Sequence, residues 1–150
     1  MAFGVVAAVV GCAGDDGDSE ADSTAALVAE MVGEYERAAM YRCECLVAQD
    51  LLYDTVDACL KALQPNAAWG DCVAMAFETH GTAELEDAMR CHTAHLQNAQ
   101  ACAESVGCEE SIDGACDAMA SMDPCGQSTI ELITFVIGHC PDVPMNTVTE

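Results

Sequence analysis

Eleven cysteines in 150 residues constrain this chain more than any other feature. Ten lie from residue 43 onwards: Cys43, Cys45, Cys59, Cys72, Cys91, Cys102, Cys108, Cys116, Cys125 and Cys140. Cys12 stands apart, far upstream. In an exported chain, an even set of ten reads as five disulfides. Metal and redox uses of cysteine leave a different signature. No Cys-x-x-Cys occurs, so neither a zinc knuckle nor a thioredoxin-type site is indicated. Cys43-Glu44-Cys45 has the look of a chelate, but on a helix residues two apart point about 200° from each other. Such a pair is expected to pin one helix to two different neighbours.

Composition says why staples are needed. Apolar residues make up 52% of the chain but aromatics only 5%, so the core must be built mostly from Ala, Leu, Val, Met and Cys. Small side chains bury little area each. There are 26 acids against four basic residues, and the net charge of −22 adds self-repulsion. The same charge repels nucleic acid phosphate and anionic lipid head groups, which excludes both as expected partners. It also suits solubility, including at high salt.

The first residues are apolar and uncharged, and they run into Val9-Val10-Gly11-Cys12. The chain then turns polar and acidic at once, with Asp15, Asp16, Asp18, Glu20 and Asp22. Val9-Val10-Gly11-Cys12 resembles the lipobox of bacterial lipoprotein precursors. The likeness covers about a dozen residues and assigns one of them. It implies that residues 1–11 are a signal that is removed, that Cys12 receives the lipid, and that 12–23 form a flexible acidic tether. Acylated Cys12 would then hold the protein on a bilayer. The alternative is a buried N-terminal helix with Cys12 as one more core thiol. Lipidation of one cysteine would account for the odd total. The composition also resembles the acidic, Cys-rich, Ala-rich lipoproteins of myxobacterial type, which implies an exported helical domain and brings no activity with it. Ile130–Ile137 is apolar but too short to span a bilayer, and it contains Glu131.

A helical period dominates after the tether. Ser23 or Thr24 can cap a helix to about Ala48, with Leu27, Val28, Met31, Val32 and Tyr35 on one stripe. Asp54 can cap a second, with Val56, Cys59, Leu60 and Leu63 in phase, ended by Gln64-Pro65. Asn66 caps a third, carrying Trp69, Cys72, Val73, Ala76 and Phe77 and stopped by Gly81. Thr82 opens a fourth, with Leu85, Met89, His92, Leu96 and Ala99 on its stripe, ending near Gly107. A fifth spans about 111–122. Ser128-Thr129-Ile130-Glu131 is a capping-box pattern opening a sixth that ends at Gly138. The expected fold is all-α: a disulfide-stapled bundle of five or six short antiparallel helices over residues 24–140, with 141–150 a loose tail.

If neighbouring helices are antiparallel, three bridges follow. Cys45 and Cys59 face each other across the first turn, Cys102 and Cys116 across a later one, and Cys72 and Cys91 lie almost symmetrically about Gly81. Cys125 and Cys140 flank one helix, about 20 Å apart at 1.5 Å per residue, too far to pair with each other. They are left to Cys43 and Cys108, in either order. The run from Cys91 to Cys125 is loosely similar to twin-cysteine helical hairpins of the coiled-coil-helix type, in stapling principle only.

Chemistry-bearing motifs are sparse. There is no Gly-x-Ser-x-Gly, no His-Glu-x-x-His and no phosphate loop. The abundant acids supply carboxylates for a glycosidase-type pair, but no spacing singles one out. Asp16–Asp22 begins like a calcium loop and fails at Ala21 and Leu27. With free thiols, Met89, Cys91, His92, His95 and Cys102 would offer a soft-metal site of copper type. With oxidised thiols, His92 simply packs in the core stripe and His95 is solvated. His80 and His139 fall at helix C-termini, where a partly positive imidazole is favoured. The expectation is a non-catalytic, lipid-anchored module of the bacterial cell envelope, periplasmic or surface-exposed. It has no cofactor, no catalytic residue and no metal site, and its partner is an envelope or extracellular protein. Soft-metal sequestration is the alternative.

Overall fold

The computed structural model describes residues 18–108, 116, 124–143 and 145, with the backbone alone for 18–23. Cys12, the signal and the start of the tether lie outside the described residues, as do 146–150 and, Cys116 excepted, the helix expected over 111–122. The described residues form five helices and no strand: α1 (Asp18–Ala48), α2 (Val56–Leu63), α3 (Ala67–His80), α4 (Ala83–Val106) and α5 (Gln127–His139).

Most boundaries are set by local chemistry. Asn66 Oδ1 accepts from Ala68 N at 2.9 Å and starts α3, and Thr82 Oγ1 accepts from Leu85 N at 3.3 Å and starts α4. The α2 cap is Thr55, whose hydroxyl accepts from Ala58 N at 3.1 Å, not Asp54. Two other starts differ from expectation. α1 begins at Asp18, so residues 18–23 continue the helix and do not belong to a flexible tether. The capping box at Ser128 does not form. Gly126, at φ +51°, turns the chain directly into α5 with no side-chain cap. A side chain is disfavoured in that backbone region, and glycine is not.

Burial follows the helical stripes. Leu27, Val28 and Met31 of α1, Trp69, Val73, Ala76 and Phe77 of α3, Ala88 and Met89 of α4, and Leu132 of α5 form the main core. Val32 and Tyr35 pack against it, half-buried. A second, smaller core surrounds Cys43, Leu46 and Cys59, where the end of α1 meets α2. α1 packs against α2, α3 and α4, while α5 packs against α4 and α3. The four longer helices thus make a ring in the order α1, α4, α5, α3.

Two neighbours in this ring run parallel. Thr24 of α1 donates to Glu86 of α4 at 2.6 Å, and Tyr41 donates to the Ala103 carbonyl at 2.7 Å, both at a sequence offset of 62. The partners climb together, so α1 and α4 point the same way. Arg37 reinforces the register with a two-pronged bond to Glu104, at 3.0 and 2.7 Å. That guanidinium, helped by Gln100, holds the Glu104 carboxyl below its usual range. The pair is exposed and contributes orientation more than energy.

All ten downstream cysteines are oxidised: Cys43–Cys59, Cys45–Cys108, Cys72–Cys140, Cys91–Cys125 and Cys102–Cys116. Of the three expected bridges, only Cys102–Cys116 forms. Cys43 and Cys45 do pin α1 to two neighbours, but Cys43, not Cys45, faces α2. Cys45 meets Cys108 at an offset of 63, one more rung of the parallel α1–α4 register. Cys72–Cys91 fails because α3 and α4 diverge from Gly81 instead of packing along their length. Each goes instead to the other end of the α5 region: Cys72 to Cys140 and Cys91 to Cys125. Cys125 and Cys140 avoid each other as expected, but their partners are not Cys43 and Cys108.

The tail is not loose where it is described. Asn66 N donates to the Met145 carbonyl at 2.7 Å, and Val143 and Met145 pack against the main core. Cys72–Cys140 holds the tail beside α3, which places those two apolar residues over the bundle.

Candidate functional site: an apolar cleft

The docked tail closes one side of a cleft of about 440 Å³. α1 contributes Met31 and Tyr35, α3 contributes Trp69, and α4 contributes His92. α5 lays Leu132, Ile133, Val136 and Ile137 along it, and Cys140, Pro141, Val143 and Met145 complete the wall. The volume falls in the range of small-molecule sites, about 300–1,000 Å³. Ile133 and Ile137 stand at the mouth, 50% and 63% exposed. Ile130, on the same face of α5 one turn before Ile133, is also exposed.

Among the described lining side chains, the polar groups are the Tyr35–His92 pair and the Trp69 indole N–H. The Tyr35 hydroxyl and His92 Nε2 share a hydrogen bond of 2.7 Å. The Tyr35 ring meets Trp69 edge-on, with centroids 6.0 Å apart, and lies 5.9 Å from the His92 ring. Burial pushes the Tyr35 phenol above its usual pKa, because the phenolate would lose its hydration. Among the described residues, no Asp, Glu, Lys or Arg lines the cleft, in a chain that carries 26 acids.

The raised Tyr35 pKa predicts a pH effect. An unfolded tyrosine ionises near pH 10. The folded phenol keeps its proton to higher pH. Its contribution is therefore fully present below about pH 10 and is lost as pH rises through the folded value. Tyr35→Phe should lower stability by about 1 kcal/mol at neutral pH through the lost hydrogen bond. The same change should flatten the alkaline fall in stability. Denaturant midpoints measured from pH 8 to 11 on both proteins check this, and parallel curves would contradict it.

The metal set raised by the sequence does not assemble. Cys91 and Cys102 are in disulfides, Met89 is fully buried in the core, and His92 is bonded to Tyr35. Among the described residues, no three His, Cys, Asp or Glu side chains converge as metal ligands. His80 and His139 do fall in the last turns of α3 and α5, with their rings 4.9 Å apart. The cleft itself had no motif to announce it. Its one early sign is the spacing of Tyr35 and His92, each on the apolar stripe of its own helix.

Known protein families, curated proteins and solved structures offer no match to this chain. The functional reading therefore rests on the cysteines and the cleft.

Proposed function

We propose that this protein is an exported, lipid-anchored, non-catalytic binding module of the bacterial cell envelope. One observation carries the reading. The ten cysteines downstream of residue 12 are all used in five disulfides, which leaves Cys12 as the odd sulfur at the end of a lipobox-like run. Disulfide density of this order belongs to oxidising compartments. No described helix is long and apolar enough to cross a membrane, so attachment on this reading falls to the acyl chains on Cys12. Soft-metal sequestration is the weaker reading, because Cys91 and Cys102 have no thiol to give.

The test is made in bacteria that process lipoproteins. Wild-type protein should partition with membranes. Its intact mass should show loss of residues 1–11, gain of acyl groups, and a rise of about ten mass units on reduction, two hydrogens per bridge. Cys12→Ser should move the protein from the membrane fraction to the soluble fraction, or leave the precursor uncleaved. Unacylated wild-type protein with titratable thiols, recovered from the cytosol, would overturn the reading.

A further inference from the structure

We propose that the cleft binds a neutral amphiphile: a small aliphatic or alicyclic body carrying one uncharged hydrogen-bonding group, such as a hydroxyl or carbonyl. This deepens the reading as a binding module and does not depend on the anchor. Charge and geometry narrow the ligand. The chain carries a net charge of −22, which disfavours approach by an anion. A cation is attracted to the surface, but among the described residues no carboxylate lines the cleft to receive it, and burying an unpaired ammonium among Leu132, Val136 and Trp69 is costly. A pure hydrocarbon would make no use of the Tyr35 hydroxyl, which can both donate and accept and spends one of these roles on His92.

A hydroxyl or carbonyl answers that capacity. The Tyr35–His92 pair can donate to a guest oxygen or accept from a guest hydroxyl, and the phenol stays neutral to high pH. The apolar body would lie along α5, under Val143 and Met145, and reach water between Ile133 and Ile137.

The chain supplies its own reporter, because Trp69 is its one tryptophan and lines the cleft. The experiment uses full-length, oxidised Cys12→Ser protein and four eight-carbon probes: 1-octanol, n-octane, octanoate and octylammonium. Octanol should change Trp69 emission saturably. The two ions should bind at least about 10-fold more weakly, the cost of burying a charge. Tyr35→Phe should weaken octanol about 3- to 10-fold, the worth of one neutral hydrogen bond, and leave n-octane binding unchanged. Ile137→Glu, at an exposed mouth position, should weaken both neutral probes with the circular dichroism unaltered. A response to no probe, equal binding of either ion, or octanol binding indifferent to both substitutions would overturn the proposal. So would a concentration-dependent dimer abolished by Ile137→Glu, which would assign the cleft mouth to a second copy. These measurements use purified protein, so their failure is distinct from a failure of the Cys12 fractionation.

Discussion

Reduction of the five disulfides is expected to unfold this domain at neutral pH and room temperature. The bridges close loops with sequence separations of 14, 16, 34, 63 and 68. In the chain-entropy model the two short ones each contribute about 3 kcal/mol and the longer ones about 4 kcal/mol. The loops overlap, so the contributions do not simply add. Even two of them rival the whole stability of an ordinary domain, about 5–15 kcal/mol. Little else can replace them. The main core has one tryptophan and few other aromatics, and a net charge of −22 opposes compaction. Titration with a phosphine reductant should remove the cooperative thermal transition, lower the helical circular dichroism, and shift Trp69 emission towards that of a water-exposed indole. A reduced protein that still melted cooperatively would show that the apolar core suffices alone.

The bridges differ in what they hold. Cys45–Cys108 locks the far end of a register already set by Thr24–Glu86 and Tyr41–Ala103. Cys72–Cys140 fixes the end of α5 against α3 and presents the tail to the cleft. The bridges therefore stabilise the fold and shape the binding surface at once.

How much of this was legible depends on the range over which each feature is encoded. The stripes of α1, α3 and α4 repeat every three or four residues, so a short window fixes which face turns inward. Caps at Asn66 and Thr82 are equally local. Bridges are not. Spacing could not decide whether Cys43 or Cys45 faces α2, because that depends on how α1 is rolled. The signal was nonetheless present: Met31, Tyr35, Ala39 and Cys43 follow one another at four-residue steps and lie on the inner side. Cys72–Cys91 was a reasonable hairpin bridge, and it failed for a tertiary reason, the divergence of α3 and α4. Nothing local specifies that α1 and α4 run parallel at an offset of 62. The cleft draws on α1, α3, α4, α5 and the tail, so no continuous segment carries its signature. Val143 and Met145 stand in a polar end that reads as a loose tail, and their docking rests on tertiary contacts with Asn66 and the main core that no local pattern encodes.

A buried charge offers the sharpest test of the packing. Val73 lies at the middle of α3 with 0% exposure, whereas Met75, two residues on and across the helix, is 65% exposed. Val73→Asp should be among the most damaging single substitutions in the chain. An isolated carboxylate in an apolar core raises its pKa by about 3–5 units. At about 1.36 kcal/mol per unit, and with the unfolded carboxyl ionising near pH 3.9, the cost at pH 7 saturates at about 4 kcal/mol, where the folded carboxyl takes up its proton instead. The lost burial of the valine adds about 2 kcal/mol. With the disulfides intact, the result should be a large fall in Tm or a molten, poorly cooperative state. Met75→Asp should change stability by less than about 0.5 kcal/mol, since it adds one acid to a face already in water. The sign with pH distinguishes charge from shape. The folded carboxyl keeps its proton to higher pH than the unfolded one, so the charge penalty shrinks as pH falls from 7 towards 4. Val73→Asp should therefore regain stability relative to wild type on acidification, whereas Val73→Ala should run parallel to it. Denaturant melts of the three proteins at pH 4 and pH 7 provide the comparison. A Val73→Asp penalty as large at pH 4 as at pH 7 would mean that lost shape, and not buried charge, is what the core of α3 fails to tolerate.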